Sequence, residues 1–155
     1  MRSGDESSVP KVLLKILPHG QGIASPAYAT AHSVGMDLAA AIEGEIIIDP
    51  GQTCLVPTGM MIAIPPGFEA QIRPRSGLAA SHALLIPNSP GTIDPDFRGE
   101  IKVILLNMGK QPFTISRGMR IAQMVVAPVV QVDIRLVQDL PPTGRGEGGF
   151  GHSGL

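Results

Sequence analysis

Gly91-Thr92-Ile93-Asp94-Pro95-Asp96-Phe97-Arg98-Gly99-Glu100-Ile101 is the stretch on which the reading of this chain turns. An Asp-Pro-Asp turn signal lies inside a run with glycine near either end, and the strongly apolar Ile101 to Leu106 follows. Turn residues beside an apolar run give a hairpin, and this one would carry charge at its tip. Such tips are commonly no more than solvated surface. Three features favour a site instead. Phe97 is an aromatic among charges in a chain that is only 3% aromatic. Asp94 follows Thr92-Ile93, which puts it at a strand end rather than at the free tip. The flanking glycines let other backbone or a ligand approach closely.

Working back from that stretch, Asn88 offers both a donor and an acceptor, as recognition of a base edge requires. Leu84 to Pro87 before it reads as a short buried strand. Arg73 to His82 leaves a strand at Phe68–Arg73 and enters alanine-rich sequence of good helix propensity, with Ser76 placed as its N-cap. Free N–H groups there, beside Arg75, would suit an anion, although short serine-capped helices are common. Earlier runs at Val12–Leu17, Glu45–Asp49, Thr53–Pro57 and Met60–Ile64 are separated by Gly/Pro turns. Asp37 lies alone inside the apolar segment Ser33 to Ala40 and needs a partner, because burying an unpaired carboxylate is expensive.

On the other side, Ile101–Asn107 is the longest apolar strand and the expected centre of the sheet, and Pro112–Ile115 returns from it. Arg117 to Val126 sets Arg120 and Gln123 into a further apolar strand, and Val129–Val137 reads as the last. Helical periodicity is missing over nearly the whole chain. Many short strands with turn chemistry between them indicate an all-β sandwich or barrel with one short helix.

At 155 residues the chain has the size of one domain able to bury a core. A net charge of -1 argues against a nucleic-acid binder, and the single cysteine, Cys54, excludes an internal disulfide framework and a cysteine-based zinc site. Residues 1–10 read as a disordered lead-in with no apolar signal segment, and residues 11–142 as the β-rich body. Residues 143–155 form a Gly-rich tail that cannot hold a helix or strand alone. Within it Arg145, Phe150 and Ser153 are spaced as if each had a partner. Glycine-rich backbone and an arginine can cradle phosphate, but the strand–helix context and Gly-Lys-Ser/Thr ending of a P-loop are absent. A cytoplasmic, membrane-free protein is the expectation.

Five stretches taken in order resemble the motifs of the trimeric dUTPase family: SVGMDLAA (Ser33–Ala40), PRSGLA (Pro74–Ala79), NSPGTIDPDFRGEI (Asn88–Ile101), RGMRIAQMV (Arg117–Val125) and GRGEGGFGHSG (Gly144–Gly154). The resemblance implies a jelly-roll-like subunit in a homotrimer whose active sites are shared between subunits. It implies hydrolysis of dUTP to dUMP and pyrophosphate with Mg2+, which keeps uracil out of DNA and supplies dUMP for dTMP synthesis. Asp94 would activate the attacking water. Asn88, with the backbone of Thr92 and Ile93, would read uracil, and Phe97 would pack on the deoxyribose. Arg75, Ser76, Gly77 and Gln123 would contact the phosphates. Arg145 and Ser153 would clamp the γ-phosphate from another subunit's tail, while Phe150 and Gly151 cover the base. Asp37 would support the site through water near the metal, and Mg2+ would be held by phosphate oxygens and waters with no direct protein ligand.

Phe97 stands where the family commonly has tyrosine, Met119 where it has aspartate, and His152-Ser153 replaces a Ser-Thr pair. The nearest rival is a dCTP deaminase on the same fold, whose catalytic glutamate has no clear home here; Glu100 is a candidate only if the hairpin has a different register. A non-catalytic nucleotide-binding jelly roll and a purely structural β-protein are the others.

Overall fold

The computed structural model describes residues 9–149. Eleven strands and one short helix follow one another in the order β1 (Leu13–Ile16), β2 (Met36–Ala39), β3 (Glu45–Ile48), β4 (Thr53–Pro57), β5 (Met60–Ala63), β6 (Phe68–Arg73), α1 (Ser76–His82), β7 (Leu84–Leu85), β8 (Gly91–Ile93), β9 (Lys102–Asn107), β10 (Phe113–Ser116) and β11 (Arg120–Pro128). All strand pairs are antiparallel, in four small sheets: β1-β5, β10-β3, β2-β11-β6-β8 and β4-β9-β7. The jelly-roll-like all-β architecture expected from sequence is what these sheets form.

The core lies between the sheets, and each contributes alternate residues to it. Leu38, Ile48, Val56, Met60, Val103, Leu105, Ile115 and Ile121 are all fully buried and come from seven different strands. Each such side chain contributes about 1.5–3 kcal/mol by leaving water. No single hairpin could bury this set, so the sheets stand or fall together. In β9 the alternation is strict: Val103, Leu105 and Asn107 point inward. Strand β11 departs from it, because Ile121 and Ala122 are both buried and the register against β2 shifts between Arg120 and Ala122. That is a β-bulge, a device that re-aims side chains.

Asn107 is the polar residue the core depends on. It is 0% exposed. Its Nδ2 donates to the carbonyls of Ile48 and Gln111, both at 2.8 Å, and its Oδ1 accepts from the Gly109 N–H at 2.9 Å. One side chain thereby ties the end of β9 to β3 and to the turn entering β10.

Three expectations are corrected. The stretch 91–101 is not a hairpin: β8 pairs with β6, whereas β9 pairs with β4 and β7, so the segment is a corner between two sheets. Turn chemistry and flanking apolar runs are the same in both arrangements, which is why sequence did not separate them. Ser76 is not the N-cap of α1; Arg75 occupies that position without a side-chain cap bond, and Ser76 is the first helical residue. Residues 129–137 form no strand. Val130, Val132, Ile134 and Leu136 alternate as a strand would, yet they stand in solvent, Leu136 completely. The pattern is a strand pattern without a strand partner among the described residues.

Replacing Asn107 by alanine is expected to lower stability by about 2–4 kcal/mol, because it leaves the buried Ile48 carbonyl and the half-buried Gln111 carbonyl and Gly109 N–H without their partner. Denaturant unfolding of the variant beside the parent protein checks this.

Candidate active site

The four-stranded sheet carries Asp37, Thr92, Ile93 and Gln123, and its strand ends lead to Arg75, Ser76 and Asp94. Strand β11 lies between β2 and β6, and its register sets Gln123 directly opposite both Asp37 and Arg73. The bulge before Ala122 places Arg120 close to Asp37 as well. The Asp37 carboxylate accepts from Arg75 Nε at 2.8 Å through one oxygen and from Arg120 Nη1 at 3.0 Å through the other. These groups are only partly buried, with Asp37 34% and Arg75 27% exposed. Ion pairs of this kind contribute about 1 kcal/mol or less to stability. Their effect is to fix where two guanidinium groups point.

Gln123 donates through Nε2 to the Pro74 carbonyl at 2.8 Å, which orients its amide. Its side chain lines a concavity with Ser76, Arg73, Ser89 and Pro90. Ser76 and Gly77 are exposed at the start of α1. This end of the sheet is rich in donors and has two arginines held by one carboxylate, which suits it to an anion with several oxygens.

At the other edge, β8 alternates buried Gly91, exposed Thr92 and buried Ile93, so Asp94 follows on the same face as Thr92. Asn88, Thr92, Ile93, Asp94 and Phe97 line one pocket of about 220 Å³. A methyl group on Gly91 would stand 3.1 Å from Asn88 Nδ2, so the bare glycine lets that amide lie against the strand. Asp94 also borders a neighbouring concavity of about 600 Å³ with Glu69, Pro95 and Asp96. It is exposed, and none of the ion pairs among the described residues involves it. A carboxylate in that position is free to take a proton from a ligand or a water.

Two other charges of the corner have structural work. Arg98 Nη1 donates to the carbonyls of Pro95 at 2.6 Å and Phe97 at 2.8 Å, clamping the turn after Asp94. Glu100 Oε1 accepts the Gly59 N–H at 2.9 Å and bonds His19 Nε2 at 2.6 Å. That engagement weighs against Glu100 as a deaminase glutamate.

Not every expected residue is brought in. Arg145 sits in its own turn, with Nε donating to the Gly148 carbonyl at 2.6 Å, and is not among the residues that line these pockets. Phe150, Gly151 and Ser153 lie outside the described residues. The Asn88–Phe97 pocket and the Ser76–Gln123 concavity adjoin: Asn88 and Gly91 line the first, while Ser89 and Pro90 between them line the second. Among the described residues, no three His, Cys, Asp or Glu side chains stand together to hold a metal ion. Sequence reasoning gave Arg120 a place in a strand but no role at the site. Its partner lies 83 positions away across a sheet, and only the register joins them.

A sequence model of the dUTPase family matches residues 21–154, most of the chain. The chain belongs to the dUTPase family. It is therefore an enzyme of the dUTP diphosphatase class. The fold is shared with solved structures of a dUTPase from Staphylococcus bacteriophage 80alpha. A point mutant of that protein with dUpNHpp is 21% identical, with 94% of this chain and 99% of that chain covered and a TM-score of 0.83. A dUTPase mutant from phage phi11 of S. aureus, reported with a structural Mg(II) ion, is 18% identical over 85% of this chain and 99% of that one, with a TM-score of 0.76. At these identities the likeness concerns the fold.

Replacing Asp37 by alanine in this dUTPase is expected to cost about 1 kcal/mol or less of stability, since the pair is partly exposed. Turnover should fall by about tenfold or more, because both guanidinium groups lose their orientation. Thermal melting and steady-state kinetics on the same preparation check the two halves.

Proposed function

We propose that the protein hydrolyses dUTP to dUMP and pyrophosphate by attack of water on the α-phosphorus. The observation that carries this reading is Asp94. It is an exposed carboxylate at the end of β8, in one pocket with Asn88, Thr92 and Phe97, and free of the ion pairs that occupy Asp37 and Glu100. Asp94 accepts the proton of the attacking water. Asn88 and the backbone of Thr92 and Ile93 bind the uracil edge, and the Phe97 ring packs on the deoxyribose, where a 2′-hydroxyl would clash. Arg75, Ser76, Gly77 and Gln123 bind the phosphates, with Asp37 holding Arg75 in place and Arg120 beside it.

Mg2+ fits this donor set as an ion held by phosphate oxygens and waters, the arrangement magnesium favours. When bound it neutralises charge on the triphosphate; positioning is left to the protein. The products fit a role in keeping uracil out of DNA and supplying dUMP for dTMP synthesis.

A homotrimer with shared sites is supported by two observations. The alternating apolar residues of 129–137 lack a strand partner among the described residues, and Arg145 is not among the residues that line the pockets. In this reading residues 11–142 are the catalytic body and 143–155 an arm that reaches a neighbouring subunit. Arg145 and Ser153 then clamp the γ-phosphate, and Phe150 and Gly151 cover the base. No helix among the described residues is long and apolar enough to cross a membrane. A nucleotide substrate favours the cytoplasm as the place of work.

The test is pyrophosphate release from dUTP, dTTP, dCTP and UTP with magnesium. Selectivity for dUTP is expected; ammonia from dCTP would instead favour the deaminase. Asp94→Asn is expected to lower kcat by about 100-fold or more while binding of dUpNHpp persists, since a general base contributes about 10²–10⁴-fold. Unchanged turnover would remove Asp94 from the role. Deleting residues 143–155 should lower turnover by a similar factor, because a closing arm completes the site. Its effect on Tm should stay within about 4 °C, the shift expected of about 1 kcal/mol or less. Light scattering of the parent protein checks the trimer.

A further inference from the structure

The Phe97 ring is the wall that the proposed function sets against the sugar, yet the core does not hold it. It is 42% exposed and lines the pocket from its rim. What does fix it is close by. The backbone around it is pinned: the Phe97 N–H donates to the Asp94 carbonyl at 3.2 Å, and Arg98 clamps the carbonyls of Pro95 and Phe97. With the main chain held, the ring moves only by changing its own side-chain rotamer. It lies over Gly99. A methyl group placed on Gly99 would stand 2.5 Å from Phe97 Cζ, 2.8 Å from Cε2 and 3.4 Å from Cε1. The first two separations are closer than carbon atoms tolerate, so the ring and any side chain at 99 cannot share that space.

Gly99 is not among the glycines with positive φ, unlike Gly59 or Gly118. An alanine could adopt its backbone conformation without strain, so glycine at 99 answers to space rather than to a turn. Sequence adjacency makes the contact local: the Phe97 ring folds over the position two residues on, and a side chain at 99 would compete with it. The backbone on both sides of the ring is tied down. The ring would therefore be the part to yield, and it would move relative to Asn88, Thr92 and Asp94, which line the same pocket.

We propose that Gly99 is a positioning residue for substrate choice, the empty place into which Phe97 lies back so that its face closes on a 2′-deoxyribose and excludes a ribose. This rests on the proposed action on dUTP and adds the residue that sets sugar selectivity through Phe97. Gly99 touches no substrate. It acts by leaving Phe97 one resting position.

The experiment compares the full-length parent protein, Gly99→Ala, Phe97→Ala and the double variant, with kcat and KM for dUTP and UTP measured under magnesium. Gly99→Ala is expected to lower the dUTP-over-UTP ratio of kcat/KM by about tenfold or more, within the range that exclusion of one small group provides. The loss should fall on KM, with kcat for dUTP within about threefold of the parent, because Asp94 is not moved. In the Phe97→Ala background the same glycine substitution should change the ratio by less than about twofold, since no ring remains to displace.

An unchanged ratio in Gly99→Ala overturns the inference, as does an effect of equal size with and without the ring. A fall in kcat alone also overturns it, since that signals damage to the reacting groups. If Gly99→Ala does not fold and the double variant does, the clash is shown by folding instead; if neither folds, Gly99 is structural and the inference fails. A parent protein inactive on dUTP overturns the proposed function and this inference with it. An active parent with an unaltered Gly99→Ala variant overturns the inference alone.

Discussion

The position of β11 between β2 and β6 is the constraint on which the rest depends. Antiparallel pairing on both edges leaves its register no freedom, and a slip of one residue would turn every side chain to the opposite face. The buried Leu38, Ile72, Ile121 and Met124 on these strands lock that register through the core. The chemistry is then an outcome of packing. With Met124 inward opposite Ile72 on β6, Gln123 must stand opposite Asp37 and Arg73, and the bulge before Ala122 brings Arg120 within reach of the Asp37 carboxylate. An apolar mutation in the core of this sheet would thus act on the donors at its rim.

The second anchor joins the corner to the N-terminal part of the chain. Glu100 takes the Gly59 N–H and His19 Nε2, while Thr58 Oγ1 donates to the Ile101 carbonyl at 2.6 Å. These contacts hold the exit of the corner just as β6 holds its entrance at β8. Asp94 and Phe97 therefore ride on a segment pinned at both ends, with Arg98 clamping its middle. Preorganisation of this kind lets an exposed carboxylate such as Asp94 keep its place. The charges at 98 and 100 resemble ordinary surface in sequence, and their work appears only once their partners are in place.

Much of the fold was legible because the signals are local. Apolar runs bounded by Gly/Pro turns mark β3, β4, β5, β6, β9, β10 and β11 close to where they lie. The ordered motifs likewise gave Asp94, Asn88, Phe97, Gln123 and Arg75 as candidates before any geometry. What sequence could not supply was the pairing. The Asp37–Arg120 contact, the corner between two sheets and the missing partner of 129–137 all depend on which strand lies beside which. Hydrophobic alternation tells which face of a strand is dry; it is silent on what covers that face. Ser76 failed as a cap for a related reason. Its residue type suits the position, but the chain turned helical one residue earlier.

Residues 129–137 have a consequence for the life of the newly made chain. A run of alternating Val130, Val132, Ile134 and Leu136 in solvent is the kind of segment that templates fibrils and clumps when many copies are synthesised together. The sequence carries its own protection. Asp133 and Arg135 interrupt the run with opposite charges, paired at 3.2 Å, and prolines at 128, 141 and 142 close it at both ends. Such interruptions act as gatekeepers, slowing indiscriminate stacking while leaving the apolar face available to one fitted partner. Neutralising those two charges would leave the folded body of the chain intact and make it harder to keep in solution.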